Sequence, residues 1–223
     1  MTEISIPPAR TDRMRDFRAS RMTRLSPSTL TARRARSQAR AAASAAVRLY
    51  LSRGAMSNYK STGYTAPWRE FKDDIKKAVV EDGVTSVGEY AFADCTNLEE
   101  AVLSDTVTLI GARSFSECTS LKGIDIPDGV EDVGGAAFYD CGAMEKVTLG
   151  DSVRKIRGYA FFRCASFDHI ELPKSLRIIE EYAFYGCSAL ESILYNGTPN
   201  DWMKVTVEDG NYPFKDTQIG TVG

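Results

Sequence analysis

The sequence predicts an α+β or mostly β repeat solenoid of five stacked coils, with a cap at each end and a basic tail before them. Two observations indicate this. The motif VGEYAFADC at residues 87–95 returns at 110, 133, 156 and 179, always 23 residues further on and without insertions. Apolar or small residues also recur at eight fixed places in every copy. Such a unit cannot bury its apolar side alone, so its copies must stack.

The eight apolar columns define the coil. Phenylalanine stands at 92, 115, 138, 161 and 184, and cysteine stands at 95, 118, 141, 164 and 187. The other six columns begin at Val84, Val87, Ala91, Leu98, Ala101 and Leu103. Together they predict full repeats over residues 84–195.

Each repeat contains one strand candidate. In LKGIDIP, at residues 121–127, Ile124 and Ile126 alternate with polar Asp125, as a half-buried strand requires. The following PDGV, at 127–130, has the Pro, Asp and Gly typical of a turn. We therefore expect five strands side by side in one parallel ladder, about 4.8 Å apart.

Solenoid ends need caps, because an end coil exposes apolar surface and an unpaired strand edge. At residues 57–83, Ile75, Ala78 and Val80 lie 23 positions before members of three columns. This spacing predicts a sixth, divergent strand, with Trp68 and Phe71 covering the end. Residues 196–223 break the pattern with prolines and a tryptophan and are predicted to form the C-terminal cap.

The unit V-x-x-I-G-x-x-A-F-x-x-C-x-x-L-x-x-I-x-L-P resembles the BspA-type leucine-rich repeat over residues 64–219. Departures are small: Arg157 and Glu180 replace the glycine, and Met144 and Phe167 replace the leucine. The resemblance implies a non-enzymatic module for protein interaction or cell-surface adhesion, in a surface or secreted context. The N-terminus as written shows no apolar stretch typical of a secretory signal.

The cysteine column predicts a buried ladder of free thiols rather than a reactive site, since free cysteine packs as a small hydrophobe. Spacing by 23 residues does not match a zinc site. Disulfides between coils are disfavoured because five is an odd number and stacking orients the Cβ atoms alike. The single histidine, His169, is expected to face outward, away from any thiol. The sequence predicts no catalytic, cofactor or metal residues, and so no enzyme.

Two outer faces are candidate binding surfaces for a protein or a surface glycoconjugate. The outward strand positions that we select are Glu100, Val102, Asp125, Lys146, Thr148, His169, Glu171 and Leu194. The tyrosines near the repeated Ala-Phe pair are Tyr90, Tyr139, Tyr159, Tyr182 and Tyr185. The same tyrosines are also explained by simple shielding of the coil edge.

The tail carries the opposite charge to the repeats. Residues 1–56 hold 12 Arg, no Lys and 3 acidic residues (12 − 3 = +9), whereas 57–223 hold 16 Lys and Arg against 27 Asp and Glu (16 − 27 = −11). The Ala- and Arg-rich segment predicts a helix over about 29–53, after a disordered stretch. One alternative function is binding to nucleic acid or an anionic membrane through this tail, with the solenoid as scaffold. Further interpretations are a targeting peptide, docking on the acidic solenoid or an assembly partner, and an extension upstream of a true start at Met56.

Overall fold

Two sets of short parallel strands run along the solenoid. The computed structural model describes residues 3–6, 48–51, 54–60, 66, 68–216 and 219–222. The long-strand set contains β1 (Glu3–Ile6), β2 (Arg48–Leu51), β4 (Lys77–Val80), β6 (Glu100–Leu103), β8 (Gly123–Asp125), β10 (Lys146–Thr148), β12 (His169–Leu172), β14 (Ser192–Tyr195) and β16 (Ile219–Thr221). The short-strand set contains β3 (Gly54–Ala55), β5 (Val84–Val87), β7 (Leu109–Ile110), β9 (Asp132–Val133), β11 (Lys155–Ile156), β13 (Ile178–Ile179) and β15 (Thr206–Val207). Three short helices complete the described part: a 3-10 helix (Arg69–Asp74), α1 (Pro199–Trp202) and α2 (Pro213–Asp216). Among the described residues, none of the helices has the length and apolar character that a membrane span requires.

Strand register follows the 23-residue step. Ala78 pairs with Ala101, so the divergent strand β4 lies where the spacing predicts it. The long strands lie side by side along the solenoid, as predicted, and their hydrogen-bonded pairs fall into three sheets: β1-β2-β4-β6, β8-β10 and β12-β14-β16. Strand β8 lies close against β10, where a Cβ on Gly123 would be 2.9 Å from the carbonyl oxygen of Lys146. The short strands, in contrast, form one seven-stranded sheet.

Each coil joins its short strand to the next long strand through a turn that we call the Ala-Phe turn, residues 88–95 in the first repeat. Tyr90 and Asp94 have left-handed backbone conformations there, with φ of 54° and 57°. The equivalent left-handed residues in later coils are Arg113, Glu117, Ala136, Asp140, Tyr159, Arg163, Tyr182 and Gly186. Alternate amides in the turn bond to the next coil, as where Phe92 N–H donates to Ser114 O at 2.7 Å. These bonds between coils offset the cost of the left-handed residues.

The core consists of the eight predicted columns, all buried except Ala101 and Leu103, which are half-buried. Rings of the five phenylalanines stack with centroids 5.1 to 5.4 Å apart and planes within 18°. The cysteines lie beside this stack, all five free and buried. The prediction of a buried thiol ladder is therefore confirmed.

The N-terminal cap supplies side chains where a preceding coil would have its Ala-Phe turn. Trp68 stacks on Phe92 with centroids 5.4 Å apart, so it extends the phenylalanine stack. Its Nε1 donates to Ala91 O at 2.7 Å, and Arg69 Nη1 donates to Ala93 O at 2.7 Å. In inner coils these carbonyl positions accept amides from the preceding coil. Phe71 lies in the 3-10 helix, and its side chain is outside the described residues.

In the C-terminal cap, one side chain makes the hydrogen bonds that the backbone of a further coil would make. Phe184 N–H donates to Asn211 Oδ1 at 2.9 Å, whereas Phe161 N–H in the coil before donates to a backbone carbonyl. Asn211 Nδ2 in turn donates to Glu180 O and Glu208 O, each at 2.9 Å. Phe214 then closes the ring stack against Phe184, at 5.1 Å. The cap thus supplies both the hydrogen bonds and the apolar cover of a further coil.

The predicted tail helix at 29–53 falls mostly outside the described residues. The structure does describe residues 48–51 of this segment, and there the helix prediction is wrong. Arg48–Leu51 forms the strand β2, which pairs in parallel with β4 from Arg48↔Lys77 to Leu51↔Val80. Helix propensity is a weak preference. The open edge of β4 offers a row of backbone groups to pair with, and this pairing overrides it.

Candidate interaction surfaces

The strand face, which is the outward side of the long strands, carries the first predicted residue set. All eight side chains are exposed except that of Leu194, which is half-buried. They lie on three sheets: Glu100 and Val102 on β6; Asp125, Lys146 and Thr148 on β8 and β10; His169, Glu171 and Leu194 on β12 and β14. The role of this set in binding stays a prediction.

Charged pairs cover much of the strand face. Lys77 pairs with Glu100, and Lys146 Nζ lies 3.6 Å from Asp125 Oδ1. His169 Nδ1 lies 2.7 Å from Asp168 Oδ1, and this hydrogen bond lowers the pKa of the Asp168 carboxyl group. The histidine is exposed, as predicted, while every thiol is buried.

The tyrosines of the Ala-Phe turns join a larger group of rings, which we call the aromatic strip. Its six members are Tyr139, Tyr159, Phe162, Tyr182, Tyr185 and Tyr212. Phe162 stacks between Tyr139 and Tyr185, with centroids 4.8 and 5.2 Å away. Tyr159 stacks on Tyr182 at 5.3 Å in a second row, and Tyr212 contacts Tyr185 at 5.8 Å. The strip therefore runs over the last three coils and onto the C-terminal cap.

Tyr90 is separate from the strip. It occupies the same column as Tyr159 and Tyr182, but Arg113 and Ala136 stand between them along the solenoid. It is half-buried and packs against the core. This placement favours coil shielding for Tyr90, while Tyr159 and Tyr185 are 41% and 38% exposed.

Cationic side chains lie close to three rings of the strip. The guanidinium carbon of Arg113 is 5.9 Å from the centroid of Tyr139, and that of Arg163 is 5.8 Å from Phe162. Lys215 Nζ is 5.8 Å from Tyr212. Cation–π contacts at exposed sites hold such side chains beside the rings. The strip thus combines tyrosine, phenylalanine and arginine on one surface.

The sequence reasoning missed Phe162 and Tyr212. Phe162 could have been found from the sequence, because the 23-residue step from Tyr139 leads to Phe162 and then to Tyr185. Tyr212 was not, since it lies 27 residues after Tyr185, in the cap that breaks the period. Its place beside the strip depends on how the chain folds back over the last coil.

The cysteines are poor nucleophiles. Burial raises the pKa of Cys95, Cys141 and Cys187 to about 12, and it raises those of Cys118 and Cys164 well above the ordinary value of 9.0. Since the thiolate is the reactive form, these groups stay protonated and inert near neutral pH. No cluster of His, Cys, Asp or Glu that could hold a metal ion occurs within the described ranges.

Stacked coils with two strand sets, an internal ring stack and exposed outer faces define a repeat solenoid. Such proteins typically act as non-enzymatic scaffolds that present extended surfaces. The chain belongs to the BspA type leucine rich repeat family, whose sequence profile matches residues 72–204 in six copies. The sixth copy is accounted for by the divergent strand β4, which lies one step before the five full repeats.

Two solved bacterial structures are similar to the chain. One is a leucine rich cell surface protein from Faecalibacterium prausnitzii, with 26% identity and a TM-score of 0.54; the match covers 67% of this chain and 38% of that protein. The other is a leucine rich repeat protein from T. pallidum, with 22% identity, a TM-score of 0.60 and 73% coverage of both chains. The chain thus matches well under half of the first protein's length. A comparison with curated protein sequences found no match.

Proposed function

We propose that this chain is a non-enzymatic protein-interaction module and that the aromatic strip is its contact surface. One observation carries the proposal: six rings lie in continuous contact on the outside of the solenoid, and Tyr159, Tyr185 and Tyr212 are 41%, 38% and 53% exposed. Contiguous exposed apolar area of this kind marks interaction sites.

The make-up of the strip favours a protein over a glycan. Residues that dominate binding energy at protein interfaces are enriched in tyrosine and arginine, and Arg113 and Arg163 lie against these rings. The planes of Tyr139 and Phe162 are 2° apart, and those of Phe162 and Tyr185 are 14° apart. Neighbouring rings therefore cover the faces of Phe162 that a sugar would stack on. What remains accessible is ring edges, hydroxyl groups and cations, which suit a polar protein surface.

A surface or adhesive setting fits the proposal. The similar protein from Faecalibacterium prausnitzii is described as a cell surface protein, and its repeats match this chain over 67% of the chain's length. A solenoid that presents an extended face is suited to holding another protein at such a surface.

The test places a photo-crosslinking amino acid in the full chain, at Tyr185 on the strip or at Glu171 on the strand face. Cell extracts are irradiated, and captured proteins are identified by mass spectrometry. We expect one protein to be captured from position 185 and not from 171. Its purified form should then bind the wild-type chain and lose most of its affinity for Phe162→Ala and Tyr185→Ala. Equal binding by these variants, or loss only with Glu171→Ala, would overturn the proposal. If the chain instead binds oligosaccharides on an array in preference to proteins, the partner of the strip is a glycan and not a protein.

The alternative function is binding of nucleic acid or an anionic membrane through the basic tail. A truncated chain that lacks the tail distinguishes it from the proposed function. Deletion should stop at residue 47, so that β2 and β3 keep their pairing with β4 and β5. We expect partner binding to survive this deletion. Binding that disappears with the tail and weakens steeply with salt would favour the alternative.

A further inference from the structure

The turn between β14 and α1 presents an exposed asparagine that is followed by a glycine. Asn196 and Gly197 come directly after Tyr195, the last residue of β14, and α1 begins at Pro199. The main-chain N–H of Asn196 donates to Leu172 O at 2.9 Å, which joins the turn to the coil before it. The Asn196 side chain is exposed and makes no hydrogen bond within the described part of the chain.

Packing requires the glycine at position 197. A Cβ atom there would be 2.6 Å from Cε1 of Tyr195, whose ring is fully buried and whose hydroxyl group donates to Lys174 O at 3.2 Å. Glycine has no Cβ, so its amide nitrogen is also the least hindered of any residue. The Gly197 N–H makes no hydrogen bond to a described residue. The fold therefore places an unhindered amide nitrogen, free of hydrogen bonds, next to a free asparagine side chain.

Two other exposed asparagines are held in place by hydrogen bonds. Asn58 Oδ1 accepts from Glu89 N–H at 3.1 Å, and the amide that follows, Tyr59 N–H, donates to Glu89 O at 2.8 Å. Asn97 Nδ2 donates to Asp73 O at 2.6 Å, and the amide after Asn97 donates within its own turn at 3.0 Å. In both places the side chain and the following amide are occupied.

The last two asparagines are protected in other ways. Asn200 lies within α1, and the amide that follows it, Asp201 N–H, donates to Thr198 Oγ1 at 3.2 Å. Asn211 is fully buried, and its side-chain amide group bonds to the backbone of the last coil. Of the five asparagines, all of them described, only Asn196 has both its side chain and the following amide free of hydrogen bonds to described residues.

We propose that Asn196 is a site of spontaneous deamidation, by way of a cyclic imide formed with Gly197. The Gly197 amide nitrogen loses its proton to solvent and attacks Cγ of Asn196. The new N–Cγ bond forms, the Cγ–Nδ2 bond breaks, and the side-chain nitrogen takes up a proton and leaves as ammonia. Water then opens the ring: attack at Cγ gives aspartate, and attack at the main-chain carbonyl carbon gives isoaspartate. The net reaction consumes one water and releases one ammonia, with no change of oxidation state.

The reaction alters the C-terminal cap. The new carboxyl group adds a negative charge two residues before Thr198, the residue that caps α1. In the isoaspartate product the main chain also gains one methylene group between residues 196 and 197, at the place where Gly197 packs on Tyr195. The proposal does not rest on the function of the aromatic strip.

The experiment incubates the full-length chain at physiological temperature, folded and in urea, and follows each asparagine by mass spectrometry of tryptic peptides. In the folded chain we expect conversion at 196 to be about tenfold faster or more than at the other four, since groups held away from attack geometry react far more slowly. The rate should rise from neutral to mildly alkaline pH, because the attacking nitrogen must lose its proton. Protein isoaspartyl methyltransferase should then label the peptide that contains residue 196.

Asn196→Gln is the matched variant, because glutamine keeps the amide group but needs a larger ring for the same attack. We expect it to keep the far-ultraviolet circular dichroism of the wild type and to lose nearly all labelling of this peptide, whereas Asn97→Gln should be labelled like the wild type. The proposal is overturned if Asn196 is converted in urea but not in the folded chain. It is also overturned if the other asparagines of the folded chain are converted as fast.

Discussion

The thiol of Cys141 donates a hydrogen bond to the backbone carbonyl oxygen of Phe115, one coil earlier, at 3.2 Å. The same bond joins Cys118 to Phe92, Cys164 to Phe138, and Cys187 to Phe161, each at 3.1 Å. The cysteine column thus ties successive coils together beside the ring stack. A side chain of this size with a donor at its tip explains why cysteine recurs there, with no need for redox or metal chemistry.

Stability should fall at alkaline pH because of these thiols. Burial raises the pKa of Cys141 from 9.0 to about 12, so above pH 9 the unfolded chain releases a proton that the folded chain keeps. Its stabilising contribution is complete below pH 9 and is lost as pH rises towards 12. Urea denaturation across this range should show a smaller loss in Cys141→Ala than in the wild type. Equal losses would contradict the burial argument. Rapid iodoacetamide labelling of the native protein near neutral pH would contradict it as well.

Phe138→Ala should lower the free energy of unfolding by about 3 to 5 kcal/mol. The ring is fully buried in the middle of the stack, 5.4 Å from Phe115 and 5.3 Å from Phe161, so its removal leaves a cavity. Asp125→Ala is the control, since its side chain is 78% exposed and should cost little. Chemical denaturation measures both, and equally mild effects would refute the assignment of columns.

Ser114→Ala should stabilise the protein by about 1 kcal/mol. The serine is fully buried, and its Oγ has no hydrogen-bond partner among the described residues. The other four coils carry alanine at this place: Ala91, Ala137, Ala160 and Ala183. Thermal or urea denaturation should show the gain, while Ser192→Ala, at an exposed strand position, should be close to neutral. A loss of stability in Ser114→Ala would show that the hydroxyl group is satisfied.

Asn211→Ala should lower the free energy of unfolding by about 1 to 3 kcal/mol, because it leaves the buried amide of Phe184 without its acceptor and removes the hydrogen bonds to Glu180 O and Glu208 O. The change should also speed hydrogen exchange of the Phe184 amide, which Asn211 Oδ1 accepts. Asn196→Ala, at an exposed asparagine in the same cap region, provides the comparison. Unchanged exchange at Phe184 would mean that Asn211 does not close the last coil.

The sequence by itself determined the coil. A strict 23-residue period fixes which side chains share a column, and a column that is apolar in every copy must face inward because no single coil can bury it. Phe92 and Cys95 were therefore placed correctly from the sequence, as was the divergent strand that carries Ala78. The 23-residue period was sufficient to place these residues because no insertion or deletion interrupts the repeats.

Only the tertiary structure decided what depends on contacts outside the period. Which neighbouring strands pair by hydrogen bonds is one such feature: Gly123 lets β8 approach β10 closely, whereas β6 and β8 belong to different sheets. Tyr212 joins the aromatic strip because the cap folds back over the last coil, and Asn211 replaces a missing backbone for the same reason. Strand β2 overrides a helical propensity because the edge of β4 offers it hydrogen-bond partners. A period predicts what each coil repeats, whereas ends and irregular positions are settled by the neighbours that they meet in space.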